Sequence, residues 1–463
     1  MTKLFPVFLT SLFVLFASLL SAETKQPNIV LIFADDWGWG DLGCHGHPYL
    51  KTPNIDRLAK EGTDFHRFTV ASGVCSPSRT AVMTGHFPAR YNIDGHFAWV
   101  PSNQRRNMPD WLDTNAPLLP KFLKKAGYST AHYGKWHLAN DMIPDAPFLT
   151  EYGYDDYGSY NCSGPQMFVH DDVKSAIPFM KKSKESENPF FINLWIHEPH
   201  TPFHVDPKLQ KLFPDLPEAD NIYAATLYHA DLRIGLLLDA LDEMKISDNT
   251  LVIFSSDNGP ARGSPNSPIA LSYDSATGPG YGIGAAKGIT GGRRAFKGAL
   301  MEGGIGVPFI ARWPGKIPAG KVDKTSVLSA VDLLPTFCEL GNVKLPKSYK
   351  PDGMSQVPTL MGKGNPLRKK PIFWRMSAPW PASESKPDHW VAYAVVYEQW
   401  KLVLNKDQSH AELYDLVRDP LESEDLAEKN SETVNRLKAL LQEWLSSIPA
   451  KPTGNVFSSL RES

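Results

Sequence analysis

The stretch PNIVLIFADD, residues 27–36, is a short apolar run rich in β-branched residues that stops abruptly at two carboxylates. Such a run reads as a strand buried on both faces, with polar residues at its carboxyl end. The design recurs in PFFINLWIHEPH (189–200) and NTLVIFSSDNG (249–259). Between these runs lie helix-like segments: NIDRLAKEG (54–62), LLPKFLKKAG (118–127) and YAATLYHADLRIGLLLDALDEM (223–244). Buried strands alternating with helices predict an α/β domain with a large, mostly parallel sheet flanked by helices. Ligands of such sheets sit beyond the carboxyl ends of the strands, where the polar clusters fall.

Residues 261–296 are rich in Gly, Pro and Ser and read as a long functional loop, because sheet-like VPFIARWPG follows. A boundary near 360–372 separates a first unit, 23–365, from a smaller one, 366–463. In the second, IFWRM, WVAYAVVYEQWKLVLN and AELYDL predict a small antiparallel sheet, and SETVNRLKALLQEWLSSI predicts a helix.

The amino terminus has one Lys, a nearly unbroken apolar run and a closing Ser21-Ala22. Residues 1–22 therefore read as a signal peptide, with export to the periplasm or beyond and no stable membrane anchor. About 440 residues remain, enough for a large domain and a smaller one. The formal charge is −2 and basic residues do not cluster, which argues against a nucleic-acid partner. Twelve Trp suit stacking on sugar faces, and equally suit ordinary cores. Only four Cys (44, 75, 162 and 338) exclude a disulfide scaffold. If Cys75 is chemically committed, at most one bridge among Cys44, Cys162 and Cys338 remains.

In VCSPSRTAVMTG (74–85), Pro77 fits a first helical turn, Ser76 is a candidate cap, and TAVM continues a helix. Cys75 then sits at the positive end of that helix with Arg79 one turn on, an electropositive setting that holds an anion and lowers a nucleophile's pKa. From the residues alone, a buried structural thiol, half of a disulfide and a nucleophile all remain open.

The motif C-S-P-S-R followed by T-A-V-M-T-G resembles the signature of the formylglycine-dependent sulfatases. GYSTAHYGKWHL (127–138), DDWGWGDLGCHG (35–46), TPNIDRLAKEG (52–62), DNGP (257–260), FKGALMEGG (296–304) and ELYDLVRDPLESEDLA (412–427) extend the resemblance over essentially the whole mature chain. It is similar in flavour to arylsulfatase A, the N-acetylgalactosamine-6-sulfatases and bacterial polysaccharide sulfatases. The resemblance implies an alkaline-phosphatase-like fold and hydrolysis of sulfate esters. It also implies oxidation of Cys75 to formylglycine by a maturation enzyme, the hydrated aldehyde being the nucleophile. By the same resemblance Asp35, Asp36, Asp257, Asn258 and the modified Cys75 bind a metal. Such a hard, oxygen-rich set suits Ca2+, with Mg2+ second.

GKWH places Lys135 and His137 two apart, on the same side of an extended segment. The family reading makes Lys135 a sulfate clamp and His137 a partner of the nucleophilic hydroxyl. His197 follows a buried strand, as a general acid for the leaving oxygen should. Lys297, beyond the Gly-rich loop, pairs with sulfate by resemblance alone. One departure is visible: the family often has Arg in E-G-G-(apolar)-Arg-x-P, and this chain has Gly306.

The expected substrate is a sulfated carbohydrate, with a lean to galactose or N-acetylgalactosamine units as in carrageenan. RYNIDGHFAW (90–99) offers His96 and Trp99, RMSAPWPASESKPDHW (375–390) offers Arg375, His389 and Trp390, and His200 lies close to His197. Two rival readings are a phosphomonoester or phosphonate hydrolase and an inactive glycan-binding relative. Rates on aryl sulfate against aryl phosphate separate the first, and the mass of residue 75 separates the second.

Overall fold

In a computed structural model, residues 25–363, 368–376 and 387–461 are described. The predicted signal peptide, the 365/366 boundary and most of 375–390 lie outside them.

The opening stretch forms β1 (Asn28–Ala34), buried at every position. Ile29, Leu31 and Phe33 enter one hydrophobic cluster, and Val30, Ile32 and Ala34 enter another on the opposite face. This is why the run is apolar throughout instead of alternating. Each fully buried Ile or Leu contributes about 1.5–3 kcal/mol, so a charge at Ile32 would break the strand's packing.

β1 is central in an eight-stranded sheet. The other strands are β2 (Thr63–Phe65), β3 (Ser129–Lys135), β4 (Asp156–Tyr160), β5 (Phe190–Trp195), β6 (Thr250–Ser256), β7 (Phe309–Arg312) and β8 (Lys321–Asp323). Their spatial order is β8-β2-β7-β6-β1-β5-β3-β4. All neighbouring pairs are parallel except those of β7, which runs against both β6 and β2. VPFIARWPG is thus the one antiparallel member, and the sheet is mixed but mostly parallel, as expected.

The helices α1 (Pro53–Glu61), α2 (Cys75–Thr84), α3 (Asp172–Glu185) and α4 (Glu218–Glu243) flank it. The loop 261–296 is not without structure, since Leu271–Asp274 and Gly278–Tyr281 pair as a hairpin. Among the described residues, no helix is long and apolar enough to cross a membrane.

The carboxyl-terminal part forms a four-stranded antiparallel sheet: β9 (Ile372–Arg375), β10 (Tyr393–Tyr397), β11 (Trp400–Leu404) and β12 (Ala411–Asp415). Helix α5 (Ser431–Ser446) packs on it through Leu437, Leu441 and Trp444. The apolar cluster on one face of β1 continues without a break into this sheet, through Trp374, Val395 and Leu402. Trp374 also donates its indole N–H to the Val70 carbonyl at 2.7 Å.

Candidate active site

In-register pairing of Ala34 with Ser256 brings the ends of β1 and β6 side by side. Asp35-Asp36 and Asp257-Asn258 therefore emerge together, all four buried. The Asp257 N–H donates to the Ala34 carbonyl at 3.0 Å, and the Asp36 N–H donates to the Asp257 carboxylate at 3.2 Å. Asp36 has φ 68°, a left-handed conformation uncommon outside glycine, and strain of this kind concentrates at functional sites.

Cys75 is the first residue of α2 and is buried. The cap position is Val74, with extended φ and ψ, and Ser76 does not cap the helix. Its hydroxyl instead accepts the Phe97 N–H at 3.0 Å, tying the 90–99 segment to α2. The Cys75 sulfur lies 3.6 Å from Asp35 Oδ1 and 3.7 Å from Lys135 Nζ. Arg79, fully buried, donates through Nε and Nη2 to Asp257 Oδ2 at 3.0 and 2.6 Å, and through Nη1 to the Lys135 carbonyl at 3.2 Å. Its guanidinium lies 5.0 Å from the Trp195 ring centroid. The expectation of a lowered thiol pKa is not met: burial, only partly opposed by Lys135 and Lys297, pushes the Cys75 thiol up to about 12.

Lys135 ends β3, where Gly134 has φ 98° and a Cβ would lie 2.1 Å from the Trp195 carbonyl oxygen. Glycine lets the strand end pass this close and turn Lys135 onto Asp35. His137 Nε2 meets the Phe97 carbonyl at 3.0 Å, and its Nδ1 is buried without a partner. His197 is alike, with Nε2 on the Pro202 carbonyl at 3.0 Å and Nδ1 unpartnered. Burial lowers both histidines. Glu198 is held by Arg233 at 2.6 Å, fixing the backbone just after His197. Lys297 Nζ lies 2.7 Å from Asp36, and Asn258 Nδ2 donates to Asp36 at 2.7 Å.

Burial alone would raise the Asp35 carboxyl, but His200, Lys135 and Arg79 hold it well below its usual value. Burial raises Asp36, and burial with the neighbouring Asp35 charge brings Asp257 to about 7. Three crowded carboxylates are a donor set that fits a hard divalent cation. Ligand atoms of Asp35, Asp36, Cys75 and His200 lie within 4.8 Å of one another. Asn258 Oδ1, buried and unpartnered, is a further orphaned acceptor. Both oxygens of Asp257 are engaged, by Arg79 and by the Asp36 N–H.

Asp36 and Lys297 open into a cleft of about 1270 Å3 that His389 also lines. The His96 ring lies 6.2 Å from that of His137, and His200 Nε2 lies 3.9 Å from Asp36. Trp99, Arg375 and Trp390 are not among the described lining residues. Trp99 is 49% exposed with Arg105 over its ring. Arg375 is committed to Asp94 and Asn92 at 3.0 and 3.1 Å, and Trp390 packs 4.5 Å from the His410 ring. The cleft also holds Arg262 and Lys287, which the sequence reading does not single out; their only signal was two isolated cations in a Gly-rich loop.

Among the described residues no two cysteines are joined in a disulfide. Gly306 makes room for an arginine from elsewhere: a Cβ there would lie 2.3 Å from Arg293 Nη1, and the Arg293 guanidinium stacks on Trp39 at 4.5 Å.

The family model described as Sulfatase matches residues 27–343, and the one described as N-sulphoglucosamine sulphohydrolase, C-terminal, matches 293–450. N-acetylgalactosamine-6-sulfatase from Homo sapiens is 31% identical over 400 residues, covering 76% of this chain and 69% of its own. Arylsulfatase A from Homo sapiens is 30% identical over 396 residues, covering 76% and 71%. The crystal structure of Ps i-CgsB in complex with k-i-k-neocarrahexaose superposes with a TM-score of 0.74 at 26% identity, covering 94% of this chain and 96% of that one.

Proposed function

Since the chain belongs to the sulfatase family and is thereby a sulfuric ester hydrolase, we propose that it removes sulfate from an exported, sulfated carbohydrate through an oxidised Cys75 and a bound Ca2+. One juxtaposition carries the reading: the Cys75 sulfur lies within 3.7 Å of both Asp35 and Lys135, at the head of a helix and the edge of a parallel sheet. The buried thiol is a poor nucleophile as it stands, as the other buried cysteines are, so the proposed chemistry runs through the modified residue. A hydrated aldehyde at this position supplies one hydroxyl to attack sulfur and a second whose deprotonation releases sulfate and restores the aldehyde. Asp35, Asp36, Asp257, Asn258 and residue 75 would hold the Ca2+, which would supply positive charge to the sulfate and favour the ionised hydroxyl.

The chain's own groups do the rest. Lys135 and Lys297 bring positive charge to the sulfate oxygens, where charge is carried in the transition state. Arg79 fixes Asp257 beneath them. His197, whose Nε2–H is held by the Pro202 carbonyl, acts as general acid only after its Nδ1 has taken up a second proton. The nearby Glu198 and Asp35 charges favour that imidazolium, which then gives the Nδ1 proton to the leaving oxygen. His137, with Nε2 on the Phe97 carbonyl, accepts a proton at Nδ1 from the hydroxyl at residue 75. His96, His200 and His389 are the sugar-facing candidates that lie at the cleft or beside the catalytic groups.

A galactose or N-acetylgalactosamine sulfate is the favoured unit. The relatives named for N-acetylgalactosamine-6-sulfate and the fold neighbour holding a neocarrahexaose support it. The apolar run closing on Ser21-Ala22 supports export, and residues 366–463 are read as a smaller unit completing the catalytic one. The test is mass spectrometry of the active protein together with a panel of defined sulfated oligosaccharides. An aldehyde at residue 75 and sulfate release from one class are the expected outcomes; an active protein with an intact thiol there refutes the scheme.

A further inference from the structure

Two cations stand in the wall of the cleft without a counter-ion. Arg262 and Lys287 form an isolated antiparallel bridge, so they are directly opposed and their side chains leave the same face. Both line the cavity that takes in Asp36 and Lys297. Among the described residues neither has an ion-pair partner. Like charges held directly opposite each other are destabilising; with Arg262 exposed and Lys287 half-buried, water offsets part of that repulsion and a bound anion would offset more.

The acids of the cleft do not serve that role, because each is already engaged. Asp36 is held by Lys297 and Asn258, Asp220 accepts the Tyr49 hydroxyl at 2.9 Å, and Asp388 lies 2.6 Å from Arg294. The pair is also set in place beforehand. The Gly263 N–H donates to the Ala286 carbonyl at 3.1 Å, and a Cβ on Gly288 would lie 2.3 Å from Pro260, so this turn packs tightly. The Arg262 guanidinium lies 5.2 Å from the ring centroid of Phe296, the residue before Lys297. That contact ties Arg262 to the residue next to Lys297.

We propose that Arg262 and Lys287 form a second anion subsite, which binds a sulfate or carboxylate group on the substrate at a distance from the ester that is cut. The preferred substrate then carries at least two anionic groups: the sulfate held near Lys135 and Lys297, and another held by this pair. Arginine's planar fork suits either anion, in a bidentate pair. The inference rests on the sulfate-hydrolase reading for the identity of the first anion and stands on its own geometry for the second.

The test is calorimetric binding to the full chain carrying Cys75→Ala, with three oligosaccharides of one backbone: one bearing a single sulfate, one a second sulfate, and one a uronate carboxylate. The expected result is that a second anion tightens binding about tenfold, the scale of one charge-assisted pair, with the two doubly charged ligands showing which anion is preferred. Arg262→Gln and Lys287→Met should each shrink that advantage, and the double variant should abolish it. Thermal unfolding of each variant checks its fold. Should a variant unfold, salt titration of the protein with Arg262 and Lys287 intact replaces it, and the advantage must fall as ionic strength rises. Equal affinity for all three ligands, an advantage kept in the double variant, or one insensitive to salt overturns the subsite. Aryl sulfate hydrolysis by the aldehyde-bearing protein is measured alongside: its failure sinks the hydrolase reading and leaves the binding comparison to decide the subsite.

Discussion

Arg79 and Asp257 meet at 2.6 Å with neither side chain exposed to solvent. The pair joins the second turn of α2 to the end of β6, the strand beside β1, so one contact holds two halves of the candidate site. Removing one member of a buried pair leaves an uncompensated charge and costs about 3–5 kcal/mol. Arg79→Ala should therefore lower the denaturation midpoint as well as kcat/KM, and Arg79→Lys should recover less than half of the lost free energy, because a point charge does not replace two fork contacts to one carboxylate. Guanidinium unfolding and steady-state kinetics read both. A variant with wild-type stability contradicts this coupling.

Cys75→Ser keeps an oxygen nucleophile and loses the second hydroxyl of an aldehyde hydrate. The serine can take up sulfate and has no path to eject it. The expected outcome is no steady-state turnover, with a sulfated residue 75 in the mass spectrum after incubation with substrate. Sustained turnover by the serine protein would contradict the proposed chemistry.

Chelation should abolish activity, and Ca2+ should restore it. The ion should also stabilise the fold, since three buried carboxylates repel one another without it. A ligand at one hundred times its Kd adds about 2.7 kcal/mol, visible as a higher melting temperature. Asp35→Asn should remove most of that rise, and a full rise in Asp35→Asn places the ion elsewhere.

Asn28–Ala34 shows why much of the fold was legible: a strand buried on both faces must be apolar throughout, and its end shows as a sudden change to Asp35-Asp36. Helix α4 was legible too, although it begins at Glu218, five residues before the apolar pattern does. β2 and β8 have three residues each, and strands so short carry no period; their place comes from neighbours distant in sequence. The hairpin at 271–281 was hidden for another reason: Leu271–Asp274 is exposed at every position, so no hydrophobic pattern announces it. At the candidate site, the motifs point to residues but not to their partners. That Ser76 serves Phe97, or that Arg375 serves Asp94, depends on contacts across the fold that no local pattern encodes.

Asp64 carries an acid-sensitive part of the stability. Burial alone would raise its carboxyl, but hydrogen bonds from His45 and His66 outweigh that and bring it to about 2 from 3.8. The depressed carboxyl contributes stability that is fully present above pH about 4 and is lost as pH falls toward 2. At about 1.4 kcal/mol per unit, the shift is worth about 2 kcal/mol. Asp64→Asn should lose that amount at neutral pH and show a shallower decline between pH about 4 and 2. Parallel acid-unfolding curves for the two proteins exclude it.

Lys401, on β11 of the small sheet, is fully buried between Glu302 at 2.9 Å and Glu422 at 2.7 Å. Glu422 in turn accepts the Glu302 N–H at 2.7 Å. One ammonium thus holds the carboxyl-terminal sheet to the segment that follows Lys297. Burial and the nearby Glu302 charge push Glu422 up to about 7, against the pull of Lys401. Lys401→Met keeps the stem's volume and strands both acids, at a cost of about 3–5 kcal/mol. Lys401→Met with Glu302→Gln and Glu422→Gln removes the stranded charge and should recover most of the loss, since an apolar or neutral replacement of a buried ionic group is often close to neutral. Because the apolar core is continuous across this contact, the single variant should unfold in one transition and not lose the small sheet alone. Two separate transitions in calorimetry would show that the carboxyl-terminal sheet stands by itself.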